Sequence, residues 1–218
     1  VNLPRIQSYI SGSLLLFIFF QEIKAKSISD LRLGNVVLGY QHTGGVETTG
    51  QSATSSVKSK DSFAGITLGL RKQGFRFLKN KARLTWDTSI VLASFESGLI
   101  SPVVDQAWTL ESTLLNIRTG PSIEVRIADE ILAKLGAGMD TAFLDARLET
   151  ATKLRSKDWH LGGHLDGSLF YLPNQYFSIY AGGGLESIGE QTLRDSTNKA
   201  TIDLSSNWTL STGMVFRW

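Results

Sequence analysis

Cysteine is absent from the chain of 218 residues, which excludes disulfides, thiolate metal sites and cysteine nucleophiles. The absence does not fix a compartment, because exported proteins of bacteria often lack cysteine too. Proline is scarce, at 4 residues, while glycine reaches 21. So much glycine suits curved sheet, where it fills bends and crowded interior positions, better than helix. Neither sign of charge dominates: 22 Lys and Arg against 20 Asp and Glu leave +2 at pH 7, which implies no general attraction for nucleic acid or acidic substrates. Also missing is any apolar run of the roughly 20 residues that a spanning helix needs. The length suits one domain, or at most two.

The N-terminal segment reads as an export signal. Arg5 supplies positive charge, SLLLFIFF (13–20) an apolar core, and AKS (25–27) small residues two apart for cleavage. An N-terminal anchor and an amphipathic helix are the alternatives. The expected division is a cleaved signal over 1–27 and one barrel domain over 28–218.

Beyond the signal, period-2 segments follow one another and no helical period survives. GNVVLGYQH sets Val36, Leu38 and Tyr40 against Asn35, Gly39 and Gln41; SFAGITLGLR sets Ile66, Leu68 and Leu70 against Gly65, Thr67 and Arg71. ARLTWDTSIVLAS, NIRTGPSIEVRI, AKLGAGMDT, HLGGHLDGSLFY and YFSIYAGGGLE repeat the pattern, and NWTLSTGMVFRW ends it with Trp208, Leu210, Met214, Phe216 and Trp218 on even positions. The last strand could begin as early as Ile202, whose register it keeps. That predicts eight strands. The phase breaks near Leu114–Leu115 and near Thr141–Ala142 are expected to be bulges or strand ends. ADE (128–130) and PNQ (173–175) read as tight turns, whereas the polar segments 43–61, 96–105, 148–158 and 187–200 read as long loops. The connection KQGFRFLKNK (72–81) is of intermediate length where a short one is expected. Long connections on one rim and short ones on the other describe an up-and-down barrel in an outer membrane.

A cleavable signal, eight amphipathic strands and a final aromatic residue resemble the small bacterial outer-membrane β-barrel proteins. TGMVFRW is similar to the C-terminal strand that the family's insertion machinery reads, with Trp218 where the family usually has phenylalanine. The resemblance implies an all-β, eight-stranded antiparallel transmembrane barrel in a Gram-negative outer membrane, with short periplasmic turns and longer external loops. The protein is expected to be a monomer in contact with membrane lipids, lipopolysaccharide and the insertion machinery, without cofactor, metal, nucleic acid or catalytic activity. The resemblance names no external ligand.

The apolar faces then meet lipid, and the charges between them point into the lumen; a soluble sandwich or ligand-carrying barrel would reverse this. Aromatics near strand ends (Tyr40, Trp86, Trp108, Tyr171, Phe216, Trp218) suit interfacial belts. The inward set carries both signs: Arg71, Arg83, Arg118, Arg126, Lys134 and Arg217 against Asp87, Glu124, Asp140, Asp166 and Asp203, with His164 among them. Ions in a narrow interior need partners, so the set is expected to plug the barrel; a narrow polar channel is the alternative. His164, Asp166 and Ser168 share one strand face, and these residue types are those of a hydrolase or acyltransferase constellation. Residues two apart on that face lie about 6.5–7 Å apart, which strains a Ser–His contact and favours polar lumen residues. The expected role is structural, or recognition through external loops.

Overall fold

The computed structural model describes residues 35–53, 55–78, 81–99, 108–150, 153–174 and 176–216. The segment 1–27 expected as an export signal, together with Arg217 and Trp218, lies outside the described residues. Ten strands form: β1 (Asn35–Gln51), β2 (Ser56–Phe77), β3 (Ala82–Leu99), β4 (Trp108–Ala128), β5 (Ile131–Glu149), β6 (Lys153–Tyr171), β7 (Phe177–Ser187), β8 (Gly189–Arg194), β9 (Lys199–Leu204) and β10 (Asn207–Phe216). Consecutive strands from β1 to β7 pair antiparallel, β10 pairs β7, and β1 pairs β10 from Val36↔Phe216 to Gly44↔Trp208. That last pairing closes the ring. β7 with β8, and β9 with β10, are single passes interrupted at Ile188 and at Ser205–Ser206, so the chain crosses eight times.

Parity decides which face each residue occupies. On β5, Leu135 and Met139 are each 62% exposed, while Lys134, Gly136 and Asp140 turn inward. Outward apolar positions run from Ile131 to Phe143 on β5 and from Tyr171 to Trp159 on β6. About twelve residues at ~3.3 Å each, tilted by about 40°, span about 30 Å, the thickness of a hydrocarbon core. An apolar belt of that height exposed on the outside of a closed sheet is a lipid-facing surface.

Past that belt the strands continue, and the two faces exchange character. The register row Leu92–Leu115–Phe143–Trp159 is apolar and outward; the next outward row is Ser94–Thr113–Asp145–Lys157. Inside, Leu114, Ala142, Leu144, Ala146 and Leu148 are fully buried just where the lumen changes from polar to apolar. The phase breaks expected near Leu114–Leu115 and Thr141–Ala142 are therefore neither bulges nor strand ends, since Leu114↔Leu144, Leu115↔Phe143 and Asn116↔Ala142 pair without a register shift. The outer medium changes from lipid to water at that row, so the preferred residue on each face inverts while the backbone runs straight on.

The same inversion corrects three of the four loops. Of the segment 96–105, β3 covers 96–99 and the rest lies outside the described residues. The segments 43–61, 148–158 and 187–200, expected as long polar loops, are mostly strand among the described residues: β2 begins at Ser56 after β1 ends at Gln51, β6 at Lys153 after Glu149, and β9 at Lys199 after Arg194. Their polar residues, such as Glu47, Lys58 and Lys60, are the outward face of strands standing in water. A bulge at Gly45 (φ 84), where pairing shifts between Gly44 and Val46, turns Val46 inward as β1 passes this level. The final strand does not begin at Ile202. Ile202 and Leu204 are buried inside against β1, Trp208 is 43% exposed, and Ser205–Ser206 separates them. Trp108, expected in the interfacial belt, is 1% exposed inside the barrel.

The wall is closed only in part. β6 pairs β7 up to Gly163↔Ser187, and β8 pairs β9 alone. Among the described residues, β6 over 153–162 and β8 therefore face each other without a ladder.

Candidate functional site

Two layers fill the barrel. The lower is polar and is built by inward positions of β2 to β6. Arg71, 4% exposed, donates from Nε to Asp87 Oδ1 at 2.7 Å and from Nη1 to Glu124 Oε1 at 2.8 Å. Its guanidinium also lies over the Phe170 ring, 4.8 Å from the centroid. Arg83 pairs the second oxygen of Glu124. Lys134 Nζ bridges Asp87 at 2.8 Å and Asp166 at 3.0 Å.

Higher in the lumen, the contacts cross from wall to wall. Arg118 Nη1 donates to Gln41 Oε1 on β1 at 3.0 Å, and its Nε lies 3.5 Å from Asp140 Oδ1. Asn116 on β4 donates to Glu186 on β7 at 2.5 Å. His164 Nδ1 is 2.9 Å from Asp140 Oδ1. Glycines make the room: a Cβ on Gly138 would meet the His164 ring at 2.8 Å, and one on Gly39 would strike the Tyr180 hydroxyl. A cavity of about 80 Å³, lined by Arg71, Asp87, Lys134, Asp166 and Tyr180 among others, leaves room for a few waters.

The upper layer is apolar. Phe63 and Phe95 meet edge to face with centroids 4.4 Å apart. Leu110, Leu144, Leu148 and Ile202 are each 0% exposed, and all belong to one cluster that fills the barrel above the polar layer.

Of the expected lumen set, Arg83, Asp87, Arg118, Glu124, Lys134, Asp140, His164 and Asp166 come together, with Arg71 at the centre. Arg126 does not join them: it is exposed at the end of β4, where its N–H donates to the Lys81 carbonyl. Asp203 is also outside the network. It sits on the outward face opposite Glu47, and its carboxylate accepts the Ser205 N–H at 2.8 Å. Phe216 ends the closing strand against Val36 and Phe177. Gln41, Asn116 and Glu186 were missed as lumen partners; their inward parity was the available signal. His164 Nε2 lies 3.8 Å from Asp166, but no hydrogen bond joins His164 to Ser168. No group of three acidic or histidine side chains among the described residues could hold a metal.

Outside the barrel and above the belt, Arg155 forks onto Asp145 at 2.8 and 2.5 Å, and Lys157 lies at 3.5 Å. The hydrogen bonds from Arg155 hold the Asp145 carboxyl down at about 2.

No protein-family model matches the chain, and no curated protein matches its sequence. Solved structures do. The outer membrane protein OprG of Pseudomonas aeruginosa is 12% identical, with a TM-score of 0.53 over 88% of this chain and 99% of that one. The Escherichia coli outer membrane protease OmpT is 10% identical, covering 84% and 97%, with a TM-score of 0.48. The attachment invasion locus protein Ail of Yersinia pestis is 12% identical, covering 84% and 99%, with a TM-score of 0.42. The fold is that of the small bacterial outer-membrane β-barrels. Within that class, the particular arrangement of this chain is a charged lower lumen beneath an apolar cap.

Proposed function

We propose that the protein is a non-enzymatic, closed barrel of a Gram-negative outer membrane, with a structural or recognition role played by the rim above the membrane. Residues 1–27 act as the removable export signal. The barrel is a monomer held by membrane lipids and lipopolysaccharide, and β10 is the strand that the insertion machinery engages. The observation that carries this reading is the two-layer filling of the lumen: ion pairs linking β2 to β6 with hydrogen bonds from wall to wall below, and a buried apolar cluster above. The recognition surface then includes the polar outward rows of β1 to β6 and β8 as well as the external connections.

A narrow polar channel is the second reading, and the polar-lined cavity beside Arg71 and Lys134 favours it. The apolar cap weighs against it, because ions pass a dry, filled constriction poorly. Single-channel recording on the refolded protein separates the two. A closed barrel gives a silent bilayer; discrete, reproducible current steps would sink this reading.

A further inference from the structure

The ladder between β6 and β7 stops at Gly163↔Ser187, just before Gly189. Gly189 has φ 123, a region that side chains disfavour. The buried parity changes there, from even on β7 (Ser178, Tyr180, Glu186) to odd on β8 (Gln191, Leu193). β8 therefore leaves β6 out of phase and pairs β9 instead. β6 stays extended over 153–162 on the support of β5, with pairs from Glu149↔Lys153 to Asp140↔Gly162. Its other edge is open. Leu144, Ala146 and Leu148 on β5 are each 0% exposed, whereas their partners on β6, Asp158, Ser156 and Leu154, are exposed or half-buried. Water thus reaches around this edge, and among the described residues no ladder covers it. A free edge of extended backbone is a template for one more strand.

Its outward face is charged in a fixed rhythm. Lys153, Arg155 and Lys157 stand at alternate positions, and Arg147 on β5 opposes Arg155. Asp145 accepts from Arg155 and lies 3.5 Å from Lys157, while Glu149 pairs with Lys153 at 2.8 Å. Four cations share two carboxylates. A second copy of the chain cannot cover the edge with its own β6, because either strand direction sets cations against cations. β8 has one outward carboxylate, Glu190, and the cation Arg194 on the same face. A strand with a carboxylate at every second position is the complement.

We propose that the free edge of β6 takes up an acidic, extended segment of a partner protein as an added strand. Over 153–159, a segment of about seven residues hydrogen-bonds to the β6 backbone. Its carboxylates stand beside Lys153, Arg155 and Lys157, and its alternate apolar side chains cover Leu154 and Ser156. The inference rests on the reading of the rim as a recognition surface.

The test uses the full barrel refolded in lipid nanodiscs and a fluorescent heptapeptide that alternates valine and glutamate, with valine at both ends. Binding is read by anisotropy at low salt. The peptide is expected to bind and to slow deuterium uptake by the β6 amides over 153–162, and its valine–lysine counterpart is expected not to bind. N-methylation of the alternate amides on the pairing edge should cost about tenfold in affinity, and methylation of the other alternate set should cost nothing. K153Q/K157Q should weaken binding about fivefold, and K58Q/K60Q on β2 should leave it unchanged. A heat-dependent gel shift confirms that every variant is folded. If neither methylated set loses affinity, the proposal is overturned and the edge is only a charged surface for acidic polymers. Equal binding of the lysine peptide, or an equal loss in K58Q/K60Q, would overturn it too. A folded, electrically silent barrel that binds no peptide would overturn this inference and leave the closed-barrel reading standing. Failure to form a heat-modifiable barrel in lipid would overturn the outer-membrane reading and this inference with it.

Discussion

Arg71 is the residue on which the polar layer depends. It is buried, and it holds Asp87 and Glu124 on two different strands. Replacing it with alanine leaves two carboxylates facing each other with reduced compensation, and breaking a buried pair from one side costs about 3–5 kcal/mol. Arg155→Ala at the water-exposed rim removes a pair of similar geometry, yet surface pairs contribute only about 0–1 kcal/mol. Urea unfolding of the two variants in lipid vesicles should reproduce this gap. Equal midpoints would mean that water screens the lumen as well as the rim. The two charge sets were not equally legible in the sequence. Parity alone placed Arg71, Asp87 and Lys134 inside, whereas Asp203 was misplaced because the chain bends at Ser205–Ser206 and resets parity. A bend of that kind leaves no trace in an alternation pattern.

The strands were legible over the lipid-facing belt for a physical reason: lipid outside and a polar lumen inside give alternation its greatest contrast. The contrast reverses above Phe143 and Trp159, and there the pattern looked like interrupted strands and loops. The reversal is testable on one face. Leu135 and Thr113 both point outward, the first within the belt and the second one row above it. Leu135→Arg should cost about 2–4 kcal/mol and Thr113→Arg about 0–1 kcal/mol of barrel stability. Similar costs at both positions would place the membrane boundary elsewhere. The unpaired stretch between β6 and β8 has its own signature. Amides of β6 over 153–162 that face β8 lack ladder partners, so their deuterium uptake should outpace that of the β5 residues paired on the other side. Uniform protection across β6 would show that the two edges are joined in solution.

At the scale of the whole molecule, the sequence contained the barrel but not its height. Strands β4, β5 and β6 continue past the belt to Trp108, Glu149 and Lys153, and the polarity of their outward rows there belongs to strand surface as much as to loop. The barrel crosses the bilayer and carries an apolar-filled upper section into water. The missing ladder between β6 and β8 leaves the wall of that section slit around its filling, whereas the wall below Gly163 and Ser187 is closed. A slit tube twists under loads that a closed tube of the same wall resists. Twisting strain at the rim is therefore expected to be taken up above the membrane, while the continuous ring of strands in the bilayer keeps its shape.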